Sequence, residues 1–106
     1  MIAELDLDQD GHLSDPNSWD EQKAEQLAQT IGVRLTVVHW QILAATRAFY
    51  EEFDHIPRTR PFVKYLQSVL PELDLTNAEL QKLFNTGLSV REIARIAGLP
   101  KPAHCL

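Results

Sequence analysis

The chain has 106 residues, which is enough for one domain with a single core. Hydrophobic residues make up 44% and charged residues 24%, and this composition is that of a globular protein rather than a disordered one. Ten basic and fifteen acidic residues give a net charge of −5, which argues against a protein that holds nucleic acid through phosphate contacts. Cys105 is the only cysteine, so the sequence excludes an intramolecular disulfide and a cysteine-rich metal site.

No segment has the features of a membrane span or a secretory signal. The longest uninterrupted apolar run covers residues 42–45, whereas a helix that crosses a bilayer needs about 20 apolar residues. The start of the chain has neither the basic region nor the apolar stretch of a signal peptide. We therefore expect a cytoplasmic protein that makes no membrane contact.

The first fifteen residues predict a small β-hairpin. Leu5 and Leu7 alternate with aspartates, Asp10-Gly11 supplies a turn, and Leu13 resumes the extended pattern. The same stretch imitates the start of a calcium-binding EF-hand loop, since it carries carboxylates at alternate positions from Asp6 onward. The twelfth position is Asn17 instead of the bidentate glutamate that completes such a site. We expect an acidic turn and no calcium site.

The rest of the chain predicts about five helices. Their starts are marked by Ser18-Trp19-Asp20-Glu21, Thr36, Pro61, Thr76-Asn77-Ala78-Glu79 and Ser89-Val90-Arg91-Glu92. Their ends are marked by Gly32, Phe53, Pro71, Gly87 and Gly98. The second helix, Val37 to Phe53, carries two apolar stripes, which predicts a central position. The fold class is therefore mainly α (α+β), a compact orthogonal bundle with a hairpin at residues 1–15, a helical body at 16–98 and an arm at 99–106.

The arm carries the chain's only thiol. Pro100 and Pro102 forbid a helix after Gly98 and favour a stiff, extended segment that we expect to be more mobile than the body. Cys105 is second from the C-terminus, so it should lie at the tip. An accessible thiol in that place suits group transfer between proteins. The alternative is a surface cysteine without a role.

Other candidate sites are weaker. Residues 88–99 read like the first helix and turn of a DNA-binding helix-turn-helix, but the prolines that follow leave no room for the recognition helix. The four histidines lack the spacing of metal ligands, and we expect neither a metal nor a cofactor. Arg58, Arg60 and Lys64 form a basic cluster, which is either a solvated face or a contact for an anion or a partner.

The segment Gly98-Leu99-Pro100-Lys101-Pro102-Ala103-His104-Cys105-Leu106 resembles the C-terminal arm of the DsrC/TusE family of sulfur-carrier proteins. Further matches to the family pattern occur in order at Asp10-Gly11-His12-Leu13, Trp19, Leu35-Thr36, His39-Trp40, Arg47, Tyr50, Pro57, Arg60 and Lys64. The resemblance implies a helical bundle with an N-terminal hairpin and a mobile arm. It also implies that Cys105 carries sulfur as a persulfide, with residues 98–102 serving as arm and docking segment.

Within that family, the branch tied to dissimilatory sulfite reductase has a second cysteine eleven residues upstream, where this chain has Ala94. The resemblance therefore favours the single-cysteine TusE branch, whose members relay sulfur toward 2-thiouridine at the tRNA wobble position. It implies a sulfurtransferase with a TusBCD-type donor complex and an acceptor thiouridylase as partners, the tRNA being held by the acceptor.

Two other functions stay open from the sequence. A regulatory or redox-sensing adaptor could use the same fold and the same Cys105 without relaying sulfur. A DNA-binding regulator could use the helix that begins at Ser89, but the net charge of −5 predicts no binding to DNA.

Overall fold

The computed structural model describes residues 5–102, and this part of the chain is mainly helical. Its five α-helices are α1 (Glu21–Gln29), α2 (Val37–Phe53), α3 (Thr59–Val69), α4 (Asn77–Leu83) and α5 (Ser89–Ile96). Short 3₁₀ turns at Pro16–Ser18 and Pro71–Leu73 precede α1 and α4. The predicted set of five helices is confirmed. Within the described residues, no helix has the length and apolar character needed to span a membrane.

The prediction of an N-terminal β-hairpin is wrong. A single antiparallel bridge joins Leu7 to Leu13, and residues 5–102 contain no strand. The physical reason is that His12 and Leu13 are both buried, with 0% and 3% of their surface exposed. Neighbouring residues of a strand point to opposite faces, so two consecutive buried side chains are incompatible with the alternation that the sequence suggested. The segment forms a turn whose end is packed into the body.

The carboxylate of Asp8 closes this turn. Its Oδ1 accepts hydrogen bonds from the backbone N–H groups of Asp10 at 2.9 Å and of His12 at 3.0 Å. Burial of the carboxylate acts to raise the pKa of Asp8, but the hydrogen bonds from these N–H groups outweigh that effect and lower it. The aspartate is therefore engaged by the backbone of its own turn. The absence of a calcium site stays a prediction.

Two helices begin differently from the prediction. Asp20 rather than Ser18 caps α1, and its side chain accepts the N–H of Lys23 at 2.8 Å. Ser18 is instead the last residue of the 3₁₀ turn before it. Ser89 is the first residue of α5 rather than its cap, because its hydroxyl donates to Asn77 Oδ1 at 2.8 Å and so joins α5 to α4. Serine and aspartate are both good caps, and the packing decides between them.

The prediction that Thr36 caps α2 is confirmed, and His39 completes the cap. The Nδ1 atom of His39 accepts the backbone N–H of Thr36 at 3.1 Å, so the ring proton lies on Nε2. That Nε2 donates to the carbonyl of Leu83 at 2.6 Å, which ties α2 to the end of α4. His39 is thus a buried structural histidine with both ring nitrogens hydrogen-bonded.

The central helix is α5 rather than α2. It packs against each of the other four helices, and every one of its residues is buried or half-buried. Ala94 is fully buried on α5, and its small side chain lets neighbouring helices approach closely. The ends of α2, in contrast, face solvent, with Val37 exposed by 74% and Phe53 by 48%. The arm therefore follows directly after the helix that lies at the centre of the core.

Candidate functional site

The structure describes the base of the arm but not its tip. Cys105 lies outside the described residues, as do Ala103, His104 and Leu106. Leu99 and Pro102 are buried, while Pro100 and Lys101 are half-buried. The first four residues assigned to the arm are thus packed against the body. The mobility of the arm beyond them stays a prediction.

Gly98 ends α5, as predicted. It has a φ of 76°, in the left-handed region, and its N–H donates to the carbonyl of Arg95 at 3.1 Å. The N–H of Leu99 reaches back to the carbonyl of Ala94 at 2.9 Å. These two bonds define a Schellman motif, which turns the chain sharply at the end of a helix. The motif sets the direction in which the arm leaves.

Three side chains from distant parts of the sequence donate hydrogen bonds to carbonyl groups at the end of α5 and at the first residue of the arm. We call Trp19, Arg47 and His12 the arm clamp. The bonds are Trp19 Nε1 to Ile96 O at 2.8 Å, Arg47 Nη1 to Ala97 O at 2.6 Å and His12 Nδ1 to Leu99 O at 2.8 Å. Buried carbonyls at a helix end need such partners. The clamp therefore both caps α5 and holds the base of the arm.

Arg47 is the centre of the clamp. Its guanidinium carbon lies 4.4 Å from the centre of the Trp19 ring, and its Nη2 donates to the carbonyl of Pro16 at 3.2 Å. Burial lowers the pKa of Arg47, and the carboxylate of Glu51 acts in the opposite direction. The planar guanidinium supplies donors in two directions, and this allows one side chain to bind two carbonyls at once.

His12 binds the arm from the opposite end of the chain. Its side chain is fully buried, and because a carbonyl can only accept, the proton lies on Nδ1. Nε2 is buried and has no hydrogen-bond partner among the residues that the structure describes. Nearby, Lys101 Nζ lies 3.6 Å from Asp10 Oδ1. The N-terminal turn therefore contacts the arm through a hydrogen bond and an ion pair.

Gly98 is expected to be intolerant of a side chain. A Cβ at this position would overlap ring atoms Cδ1 and Cγ of Trp19 and would lie 2.7 Å from its Cβ, in addition to the strain of a positive φ. We expect Gly98→Ala to lower the free energy of unfolding by about 3 kcal/mol. Urea denaturation measures this, and Gly87→Ala is the matched control because a Cβ at Gly87 meets no atom within 4 Å. Equal stability of the two variants would contradict the close approach of Trp19.

A model of the family described as "DsrC like protein" matches residues 2–106 of this chain. The chain belongs to the DsrC-like family. It is 36% identical to the sulfurtransferase TusE homolog of Haemophilus influenzae, over 97% of this chain and 94% of that protein. It is also 36% identical to sulfurtransferase TusE of Yersinia pseudotuberculosis, over 96% of this chain and 94% of that protein. The chain also matches the NMR structure of Allochromatium vinosum DsrC, with 33% identity and a TM-score of 0.83. This match covers 94% of this chain and 88% of the DsrC chain. The predicted resemblance is confirmed.

The helix α5 does not have the exposed face of a recognition helix. Since α5 has no exposed residue and packs on four helices, it cannot enter a major groove. The helix-turn-helix interpretation of residues 88–99 is therefore without structural support. Arg60 and Lys64, the predicted basic contact, lie on α3 and make no contact with the clamp among the described residues.

The clamp is the feature that reasoning from residue patterns missed. Trp19 and Arg47 both match the family pattern, but the sequence assigned neither of them a role in binding the end of α5 or the arm. They lie 77 and 50 residues from the carbonyls that they bind. The available signal was indirect: a helix that ends in a buried position needs donors for its last carbonyls, and tryptophan and arginine are strong donors.

Proposed function

We propose that this DsrC-like protein is a sulfurtransferase that accepts sulfur as a persulfide on Cys105 and passes it on in a relay. The observation that carries the proposal is the match over nearly the whole chain to proteins named sulfurtransferase TusE, together with a C-terminal thiol beyond a firmly held arm base. Cys105 is the only thiol, so no other residue can carry the sulfur.

The chemistry is a sequence of two thiol exchanges. The thiolate of Cys105 attacks the outer sulfur of a donor persulfide, the sulfur–sulfur bond of the donor breaks, and the donor leaves as a thiolate. The outer sulfur of the resulting persulfide is then attacked by an acceptor thiolate, and Cys105 is regenerated as a thiolate. No net oxidant or reductant is consumed. The carrier needs reach and accessibility, while its partners supply the activation.

The length of the arm is adequate for this exchange. Cys105 is three positions after Pro102, and an extended chain of that length spans about 11 Å. A thiol at that distance from the clamp can enter a shallow cleft of a partner while the helical body stays outside. The clamp fixes the position from which the arm extends, so this position is the same each time the protein meets a partner.

We place the relay in the cytoplasm and direct it toward 2-thiouridine in tRNA, with a TusBCD-type complex as donor and a thiouridylase as acceptor. The TusE names of the relatives support this assignment, and Ala94 supports it because a second thiol is missing there. The net charge of −5 supports a carrier that leaves the tRNA to the acceptor.

Sulfur loading tests the proposal directly. The protein is incubated with a persulfide donor, such as inorganic polysulfide, and its intact mass is measured before and after reduction. We expect the mass of one added sulfur atom, located at Cys105 by peptide mapping and removed by dithiothreitol. If Cys105 remains alkylatable but takes up no sulfur, the relay is contradicted and a regulatory adaptor is the better assignment.

A further inference from the structure

A basic groove lies between the first half of α3 and the start of α4. It has a volume of about 820 Å³. Its walls are formed by Thr59, Arg60, Pro61, Val63, Lys64 and Asn77. Arg60 and Lys64 are four residues apart on α3 and therefore stand on the same face of the helix. Pro61 and Val63 add apolar surface between and beside the two cations.

The cations of this groove form no ion pair with any residue that the structure describes. Arg60 and Lys64, and Arg58 just before them, are exposed, and no carboxylate within residues 5–102 lies within ion-pair distance of them. By contrast, Lys82 and Arg95 each pair with a glutamate on their own helix. The α3 sequence contains no acidic residue, and like charges four residues apart repel each other. Three cations without an ion-pair partner among residues 5–102 thus occur within seven positions of the sequence, on a protein with a net charge of −5.

The groove begins close to the base of the arm. His55 and Ile56, in the link between α2 and α3, line a pocket of about 240 Å³ with Pro100 and Pro102. Arg60 is four positions after Ile56, and a chain of that length spans at most about 14 Å. A protein that exchanges sulfur with the arm must therefore approach within reach of the groove.

We propose that the basic groove binds an acidic segment of the protein that exchanges sulfur with the arm; this inference rests on the proposed function for the identity of the partner. Carboxylates of that segment pair with Arg60 and Lys64, and an apolar side chain of the segment covers Pro61 and Val63. The mixture of cations and apolar surface fits a peptide better than a phosphate backbone, which offers no apolar contact. The acidic remainder of the chain also repels a long polyanion such as tRNA.

The test uses two short probes of opposite class. ¹⁵N-labelled full-length protein is titrated by NMR with the end-blocked hexapeptide Glu-Leu-Asp-Glu-Leu-Asp and, separately, with a hexathymidylate. We expect the peptide to shift the amide signals of residues 59, 60, 62–64 and 77 more strongly than the nucleotide does, with an affinity that falls as salt is added. A stronger effect of the nucleotide, or no localised shift with the peptide, would overturn the proposal.

Charge-reversal variants provide the second part of the test. The double variant Arg60→Glu, Lys64→Glu should bind the peptide at least about tenfold more weakly, since two attractive pairs become repulsive. The double variant Arg34→Glu, Lys82→Glu is the matched control, because it changes the net charge by the same amount at two exposed positions outside the groove. Equal loss in both variants would mean that net charge, not the groove, governs binding. The milder Arg60→Gln, Lys64→Gln pair serves if charge reversal impairs folding.

Failure of the groove and failure of the relay are separable. Polysulfide loading of Cys105 is measured on the same samples, and the charge-reversed variant should load at the wild-type rate because inorganic polysulfide needs no docking surface. Normal loading with lost peptide binding supports the groove. A wild-type protein that binds the peptide but takes up no sulfur would instead contradict the relay and, with it, the identity of the partner.

Discussion

Replacing Cys105 with serine is expected to abolish sulfur loading and onward transfer. The chain has no second thiol to substitute for it, and a serine hydroxyl cannot form a persulfide. The free energy of unfolding should change by less than about 0.5 kcal/mol, the range typical of substitutions outside the core. Intact mass spectrometry after polysulfide treatment measures the loading, and urea denaturation measures the stability.

A relocated thiol separates chemistry from position. In the Cys105→Ser background, Ala48→Cys places the only thiol on the exposed side of α2. We expect this variant to react with polysulfide but to transfer no sulfur to a protein acceptor, because the thiol no longer stands on the arm. Efficient transfer from position 48 would contradict the carrier mechanism, since it would mean that any accessible thiol suffices.

Mild oxidation of the wild type should give only intermolecular disulfides, because each chain has a single thiol.

The elements that could be predicted were those specified by neighbouring residues. Thr36 and Gly98 mark helix ends through local backbone chemistry, and both were placed correctly. Ser18 is not the cap of α1 because Asp20, two residues later, accepts the N–H of Lys23 in its place. Ser89 is not the cap of α5 because its hydroxyl donates to Asn77 Oδ1, a contact that forms only once α4 and α5 pack together. Local signals are reliable where a residue has one suitable partner and fail where it has two.

The N-terminal turn and the clamp depend on contacts between remote segments. The alternation from Leu5 to Leu13 is typical of a hairpin, but His12 turns inward to bind the carbonyl of Leu99, 87 residues away. The sequence also did not indicate that the ends of α2 are exposed, since Val37 has the same side chain as a valine in the core. No periodicity or spacing encodes which remote carbonyl a buried donor will reach. The candidate thiol, in contrast, was evident from its place in the chain.

Arg47→Ala is expected to lower the free energy of unfolding by about 3 kcal/mol. The substitution removes charge-assisted hydrogen bonds to Ala97 and Pro16 and the contact with the Trp19 ring, and it leaves the carbonyls without those donors. Arg34→Ala is the matched control, since that exposed arginine is expected to contribute less than about 0.5 kcal/mol. Urea denaturation at neutral pH compares the two.

The clamp predicts a second, local effect of losing Arg47. The amides of Gly98 and Leu99 are hydrogen-bonded in the Schellman motif, and releasing Ala97 should let this motif open more often. We therefore expect hydrogen exchange at these two amides to accelerate more than at Leu66, which is buried in α3. Arg47→Lys, which keeps the charge but lacks the planar fork of donors, should give an intermediate rate.

Sulfur transfer distinguishes a positioning role of Arg47 from a purely structural one. In the folded Arg47→Lys variant, alkylation of Cys105 by iodoacetamide should keep its wild-type rate, because a small reagent does not require the arm to start from a fixed point. Transfer to a protein acceptor should slow, because the thiol then searches a larger volume before it meets the acceptor site. If both rates are unchanged while exchange at Leu99 is faster, the clamp stabilises the helix end alone, and the precision of the arm has no part in transfer.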